Sequence, residues 1–107
     1  MFEITEADVF AVYECLKDKY PLQMTMAKQV DEAFEMDCPI LVGRAHGQMI
    51  TLYEYGGDFI LDVMDEAQTK GTHWHPWDVK SAAHDIAEFM DGREDYELYP
   101  FAFGSSW

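Results

Sequence analysis

The chain has 107 residues, 49% hydrophobic and 26% charged, the usage of one globular domain with its own core, which argues against a disordered chain. Asp and Glu number 21 against 7 Lys and Arg, a net charge of −14, and this argues against nucleic acid or an anionic membrane as a partner, because both demand a surplus of cations. No run of about 18 apolar residues offers a membrane span, and Met1-Phe2-Glu3-Ile4-Thr5-Glu6 lacks the basic and apolar regions of a secretory signal, so a cytoplasmic location is expected.

The first predicted element is a helix from about Thr5 to Tyr20. Thr5 suits an N-cap, Glu6 and Asp8 place negative charge in the first turn, and Val9, Tyr13, Leu16 and Tyr20 recur on one helical face until Pro21 stops it. Cys15 lies inside this pattern, and Cys38 stands before Pro39. With no CxxC and no Cys-His spacing, both read as reduced thiols of a cytosolic chain. A second, shorter helix is predicted from Thr25 to Met36, with Ala27, Val30 and Phe34 on one face. Ile40-Leu41-Val42 then opens a strand. A turn at Gly47-Gln48 leads to a strand over Met49–Tyr55, in which Ile50 and Leu52 alternate with Met49, Thr51, Tyr53 and Tyr55. Gly56-Gly57-Asp58 is a second turn. In the strand from Phe59 to Met64, Phe59, Leu61 and Val63 face one way and Ile60, Asp62 and Met64 the other.

Asp65 to Pro76 reads as the longest loop and carries Gly71-Thr72-His73-Trp74-His75-Pro76. The last helix is predicted from Trp77 to Asp91, with Gly92 as its left-handed cap. Val79, Ala82, Ala83, Ile86, Ala87, Phe89 and Met90 cover one side of it, and Lys80, Ser81, His84, Asp85 and Glu88 the other. Tyr96 to Phe103 reads as a short strand or an extended arm. Strands segregate from helices, so residues 1–107 form a single α+β domain: a three- to four-stranded antiparallel meander with two N-terminal helices and one C-terminal helix packed on one face.

Three features could carry function. The His73-Trp74-His75 segment is the most unusual stretch. Its two imidazoles are expected on opposite sides of the loop unless it bends, and His84 and Glu88 share a face of the following helix. Together His73, His75, His84 and Glu88 are weak zinc-ligand candidates, without the HExxH spacing that fixes two ligands on one helix, and packing of Trp74 and Trp77 at the helix start is the stronger reading. The second feature is the acidity, which returns in the third strand, the long loop and the last helix rather than forming one run. Asp62, Asp65 and Glu66 are expected to form one patch with Trp74, which either keeps the chain solvated or recruits a basic partner. The third is the aromatic content of 15%, which crowds the terminus as Tyr99-Pro100-Phe101-Ala102-Phe103 with Trp107 and places Tyr53 and Tyr55 on one sheet face. No phosphate loop, dinucleotide fingerprint or nucleophile elbow occurs, and no cofactor and no catalytic residue are expected.

In size, charge and α+β layout, the chain resembles the small acidic immunity proteins of bacterial polymorphic toxin systems. The resemblance lies in overall character and covers no specific motif. It implies a cytoplasmic, non-enzymatic inhibitor that binds a cognate, basic toxin domain, with Asp62, Asp65, Glu66, Trp74 and Trp77 as contact candidates. Two other readings stand beside it. One is a metal-binding or hydrolytic protein using His73, His75, His84 and Glu88. The other is a homo-oligomeric module, monomer or homodimer being open, joined through the Tyr-bearing sheet face and the aromatic tail.

Overall fold

The computed structural model describes residues 3–30, 35–93 and 96–100, and only the backbone path of 27–30, 35 and 36. The stretch 31–34 of the expected second helix and the tail at 101–107 lie outside the described residues. The elements are α1 (Glu6–Leu16), β1 (Gln23–Val30), β2 (Glu35–Ala45), β3 (Gln48–Tyr55), β4 (Asp58–Asp65), β5 (Lys70–Trp74), α2 (Val79–Met90) and β6 (Tyr99–Pro100). The strands form one sheet in the order β1-β2-β3-β4-β5-β6, each antiparallel to the last. The α+β class and the antiparallel meander are as the sequence indicates. Among the described residues the sheet is wider than expected, with six strands, and there are two helices where three are expected.

The segment expected as a second helix is the first half of a hairpin. Gln23 pairs with Val42 and Val30 with Glu35. The helical reading rested on three apolar positions. A period of two leads into the region: Leu22 is buried and Met24 packs on the core, while Gln23 and Thr25 are exposed, and the alternation ends at Met26, which is exposed. β2 is rich in strand formers and needs a partner on each side, and that pairing outweighs a thin helical pattern. The long loop likewise contains a strand. Val63 pairs with Thr72 and Leu61 with Trp74, so β5 alternates Thr72 and Trp74 inward with His73 outward.

Two hairpin turns have the left-handed pair of residues that matches strand twist. They are His46-Gly47 (φ 58° and 73°) and Gly56-Gly57 (φ 63° and 87°). The first turn therefore falls one residue earlier than predicted. Ala45 and Gln48 close it as a cross-strand pair, and His46 takes the strained position.

Both helices lie on the same face of the sheet. Val9, Val12 and Leu16 of α1 and Ala82, Ile86 and Phe89 of α2 meet Leu41, Ile50, Leu52, Phe59, Leu61 and Val63 in one core. The helices run side by side with their N-termini at one end. At the other end the Tyr20 hydroxyl donates to Asp91 Oδ2 at 2.9 Å, and His46 Nε2 donates to the Met90 carbonyl oxygen at 3.3 Å. α2 ends at Gly92 with φ 70°, as its sequence pattern indicates. No described helix is long and apolar enough to cross a membrane.

Gly43 sets how closely α2 approaches the sheet. A Cβ there would lie 2.8 Å from Leu22 Cδ2, 3.1 Å from Met90 Sδ and 3.2 Å from Ile50 Cγ2. Gly43→Val is expected to lower stability by about 1–3 kcal/mol, read as an earlier urea midpoint at unchanged slope, because three packed side chains must give way.

Candidate functional site

The chemistry-bearing residues are sorted by strand parity and by the two ends of the sheet. On the face away from the helices, β4 carries Asp62 directly opposite Thr51 of β3 and His73 of β5. Asp62 is only 7% exposed, so the carboxylate expected as a partner contact sits within the sheet face instead. Around it lie Val42, Met49, Tyr53, Ile60 and Met64, all half-buried. Burial pushes the Tyr53 phenol above its ordinary value, and the negative charge of Asp62 adds to the effect.

The imidazoles of His73 and His75 meet edge to face with their centroids 5.7 Å apart. The expectation that they diverge is corrected, because residues i and i+2 of extended chain share a side. His75 Nδ1 donates to the Phe59 carbonyl oxygen at 3.0 Å and ties the end of β5 to the start of β4. His84 and Glu88 stand on α2, across the sheet, 3.8 Å apart, and Glu88 also faces Arg93 at 3.7 Å. The four candidate ligands do not converge. No group of three or more His, Cys, Asp or Glu among the described residues is placed to hold a metal ion.

Trp74 points inward, into the layer between sheet and α2. Its Nε1 donates to Asp85 Oδ2 at 2.9 Å, and its ring stacks on Tyr96 with centroids 5.4 Å apart. It thus lies on the opposite face from Asp62, and the patch expected from the sequence does not form. A cleft of about 270 Å³ beside this pair is lined by Trp74, His84, Asp85, Glu88 and Tyr96.

Asp65 and Glu66 lie at the end of β4, where the chain turns into β5. Asp65 Oδ1 accepts from the backbone N–H of Thr69 (2.8 Å) and of Lys70 (3.1 Å), and Oδ2 accepts from the Thr69 hydroxyl at 2.6 Å. The Thr69 hydroxyl above all, and then the Lys70 N–H, hold this carboxyl below its ordinary pKa. Its position is explained by the turn it closes. Glu66 is exposed, and its N–H reaches the Gly47 carbonyl oxygen at 3.3 Å.

Trp77 follows His75, whose ring is tied to Phe59 at the start of β4, the end opposite Asp65. It is 90% exposed, the highest value among the exposed large hydrophobic residues that are described. A groove of about 690 Å³ runs past it, lined by Glu3, Ile4, Asp8, Trp77, Asp78, Val79 and Lys80. Local structure holds Ile4, Asp8 and Asp78 in place. The Ile4 N–H donates to the Gly57 carbonyl oxygen at 2.9 Å, which pins the N-terminal segment to the β3–β4 turn. Asp8 Oδ2 accepts the Thr5 N–H at 2.8 Å at the start of α1, and Asp78 Oδ1 accepts the Ser81 N–H at 2.8 Å at the start of α2. Each cap engages one carboxylate oxygen closely, and a carboxylate has capacity for further donors. The groove therefore joins an exposed indole and the apolar Ile4 and Val79 to three carboxylates against one ammonium. Of the five contact candidates, it contains Trp77 alone. Glu3, Asp8 and Asp78 join it because two helix starts meet there, a proximity that no local pattern encodes.

The Asp78 cap has a pH signature. The Ser81 backbone N–H, then the Ser81 side chain, hold its carboxyl below the ordinary value. A carboxyl lowered on folding stabilises fully above its unfolded pKa of about 3.9, and that contribution is lost as pH falls through the lower folded value. Asp78→Ala is therefore expected to lower Tm at pH 7, with its deficit against the wild type shrinking in melts taken below about pH 4. Asp78→Asn, which keeps the cap acceptor, is expected to stay near the wild-type Tm at pH 7.

Compared with protein-family models, with curated proteins and with solved structures, the chain matches none.

Proposed function

We propose that this protein is an immunity-type inhibitor, which occupies a basic toxin domain through the groove at Trp77 and acts by binding rather than by turnover. The observation that carries the reading is a 90%-exposed tryptophan beside Glu3, Asp8 and Asp78 on a chain of net charge −14. A large ring left in water is available to anchor an interface. Trp is over-represented among the few residues that supply most of the energy of such contacts. The indole face takes an Arg or Lys side chain by cation–π attraction, and the neighbouring carboxylates take its charge.

The overall charge has a separate part. Fields from 21 carboxylates against 7 basic side chains steer a cationic partner towards the surface and repel an acidic one, which raises association rate and selectivity more than final affinity. The buried Asp62, the stacked Trp74 and the turn-closing Asp65 stay out of the contact in this reading. The bacterial cytoplasm is the compartment in which such an inhibitor meets its toxin.

The partner to test is the C-terminal domain of the protein encoded immediately upstream. Its association rate with this chain is expected to fall roughly tenfold or more as NaCl rises from 0.05 to 0.5 M, with a much smaller change in the dissociation rate. Absence of binding to that domain, or an association rate indifferent to salt, counts against the reading.

A further inference from the structure

The two edges of the sheet are treated differently. Beside β5, Lys70 pairs with Pro100 and Gly71 with Tyr99, and Tyr96 and Leu98 pack against the core there. That edge is closed by a short strand containing a proline, one of the ordinary ways of blocking further pairing. β1 is the opposite edge. All eight of its residues pair with β2, and among the described residues no strand lies along its other side. In an antiparallel pair every second residue directs its N–H and C=O away from its partner, so β1 presents a row of donors and acceptors outward.

The composition of this strand suits pairing. Gln23-Met24-Thr25-Met26-Ala27-Lys28-Gln29-Val30 contains no carboxylate and no proline, in a chain where Asp and Glu make up 21 of 107 residues. Gln23 and Thr25 are exposed, and Met26 is 60% exposed. A template for pairing is thus placed on a strand that itself carries no negative charge.

We infer that the outer edge of β1 pairs with β1 of a second copy of this chain, joining two six-stranded sheets into one across a two-fold axis. The charge distribution selects this occupant. Two chains of net charge −14 repel each other, and β1 is a strand on which they meet without bringing carboxylates together. Antiparallel pairing is self-complementary under a two-fold axis. Only residues with outward backbone groups can exchange hydrogen bonds, and these recur at every second position. The axis of a centred pairing therefore passes through Met26 or Ala27. Lys28 then faces Met24 or Met26 of the partner and not the partner's own Lys28, so the strand's single charge meets no like charge. Met26 loses its exposed surface next to the axis in either case.

β1 and β5 lie four strand spacings apart, about 19 Å. The pairing therefore leaves the Trp77 groove of each copy open, and the inference is independent of the proposed function. The two contacts also respond to salt in opposite directions. Screening strengthens association between like-charged copies and weakens capture of a basic partner.

The test is the mass of the full chain by light scattering at 20–500 µM in 0.15 and 0.5 M NaCl. A species of twice the 12.4 kDa chain mass is expected, with a larger share at the higher salt. Met26→Glu and Thr25→Glu, both at exposed positions, are expected to shift it to monomer while circular dichroism stays unchanged. Trp77→Ala is expected to leave it dimeric. Amide exchange of the wild type gives a second reading: β1 amides are expected to exchange at least tenfold more slowly at 500 µM than at 20 µM. A monomer at every concentration and both salts overturns the inference. So does a dimer that both glutamate variants leave intact, or β1 exchange that is independent of concentration.

Discussion

Trp74→Ala is expected to lower the stability of this protein by about 3 kcal/mol, a drop in Tm on the order of 12 °C for a domain of this size. Three losses add up. The ring leaves a void between β5 and α2, in the layer where Phe89 and Tyr96 also pack. Tyr96 loses the ring on which it stacks at 5.4 Å. Asp85 loses the indole donor at 2.9 Å, which leaves a carboxylate at a partly buried position short of a hydrogen bond. Trp74→Phe separates these effects, since it keeps most of the packing and removes the donor, and it is expected to cost about 1.5 kcal/mol. Thermal and urea unfolding of the three proteins checks the order. A Trp74→Ala protein as stable as the wild type would remove Trp74 from the core.

Trp77→Ala is expected to do the reverse. The side chain is 90% exposed, so stability should change by no more than about 0.5 kcal/mol. Affinity for the proposed toxin partner is expected to fall by about 2 kcal/mol or more, roughly thirtyfold, as for a central aromatic anchor. Glu3→Lys and Asp8→Lys are expected to act mainly on the association rate, because they reverse charge beside the anchor without removing it. Asp8 also closes the start of α1, so its variant is read with its Tm alongside. Two tryptophans three residues apart thus have opposite expected phenotypes, one in folding and one in binding. An equal fall in affinity for Trp74→Phe and Trp77→Ala would assign the contact to the whole β5–α2 connection rather than to the groove.

This contrast also marks how far the sequence can be read. The alternation of Phe59, Leu61 and Val63 against Ile60, Asp62 and Met64 was legible because strand parity is local, and all three inward residues are fully buried. The wheel of α2 and its Gly92 cap were legible for the same reason. What could not be read from a segment's own period was strand character that comes from pairing with the neighbouring strand. β1 becomes a strand because β2 pairs with it. β5 is five residues long and contains a glycine, so its period-two signal is weak beside its loop-like composition. Once β5 is missed, the parity of His73, Trp74 and His75 is lost with it. The imidazoles are then placed on opposite sides, and Trp74 is placed beside Asp62. The register Leu61↔Trp74 reverses both assignments. Thr72 and Trp74 as alternating strand formers, followed by the Asp78 and Ser81 cap, are a local signal of β5. The approach of Glu3 and Asp8 to Trp77 has no such signal. It depends on two helices lying side by side with their N-termini together, which only the packed core decides.

The most direct test of the binding account is a growth assay. The C-terminal domain of the upstream protein is expressed in a bacterial host alone, with this chain, and with its Trp77→Ala variant, while immunoblots hold the amounts of both inhibitor forms equal. The expected result is arrest by the domain alone, full rescue by the wild-type chain and impaired rescue by the variant. A domain that arrests growth equally with and without the wild-type chain, or one that is harmless alone, contradicts the account.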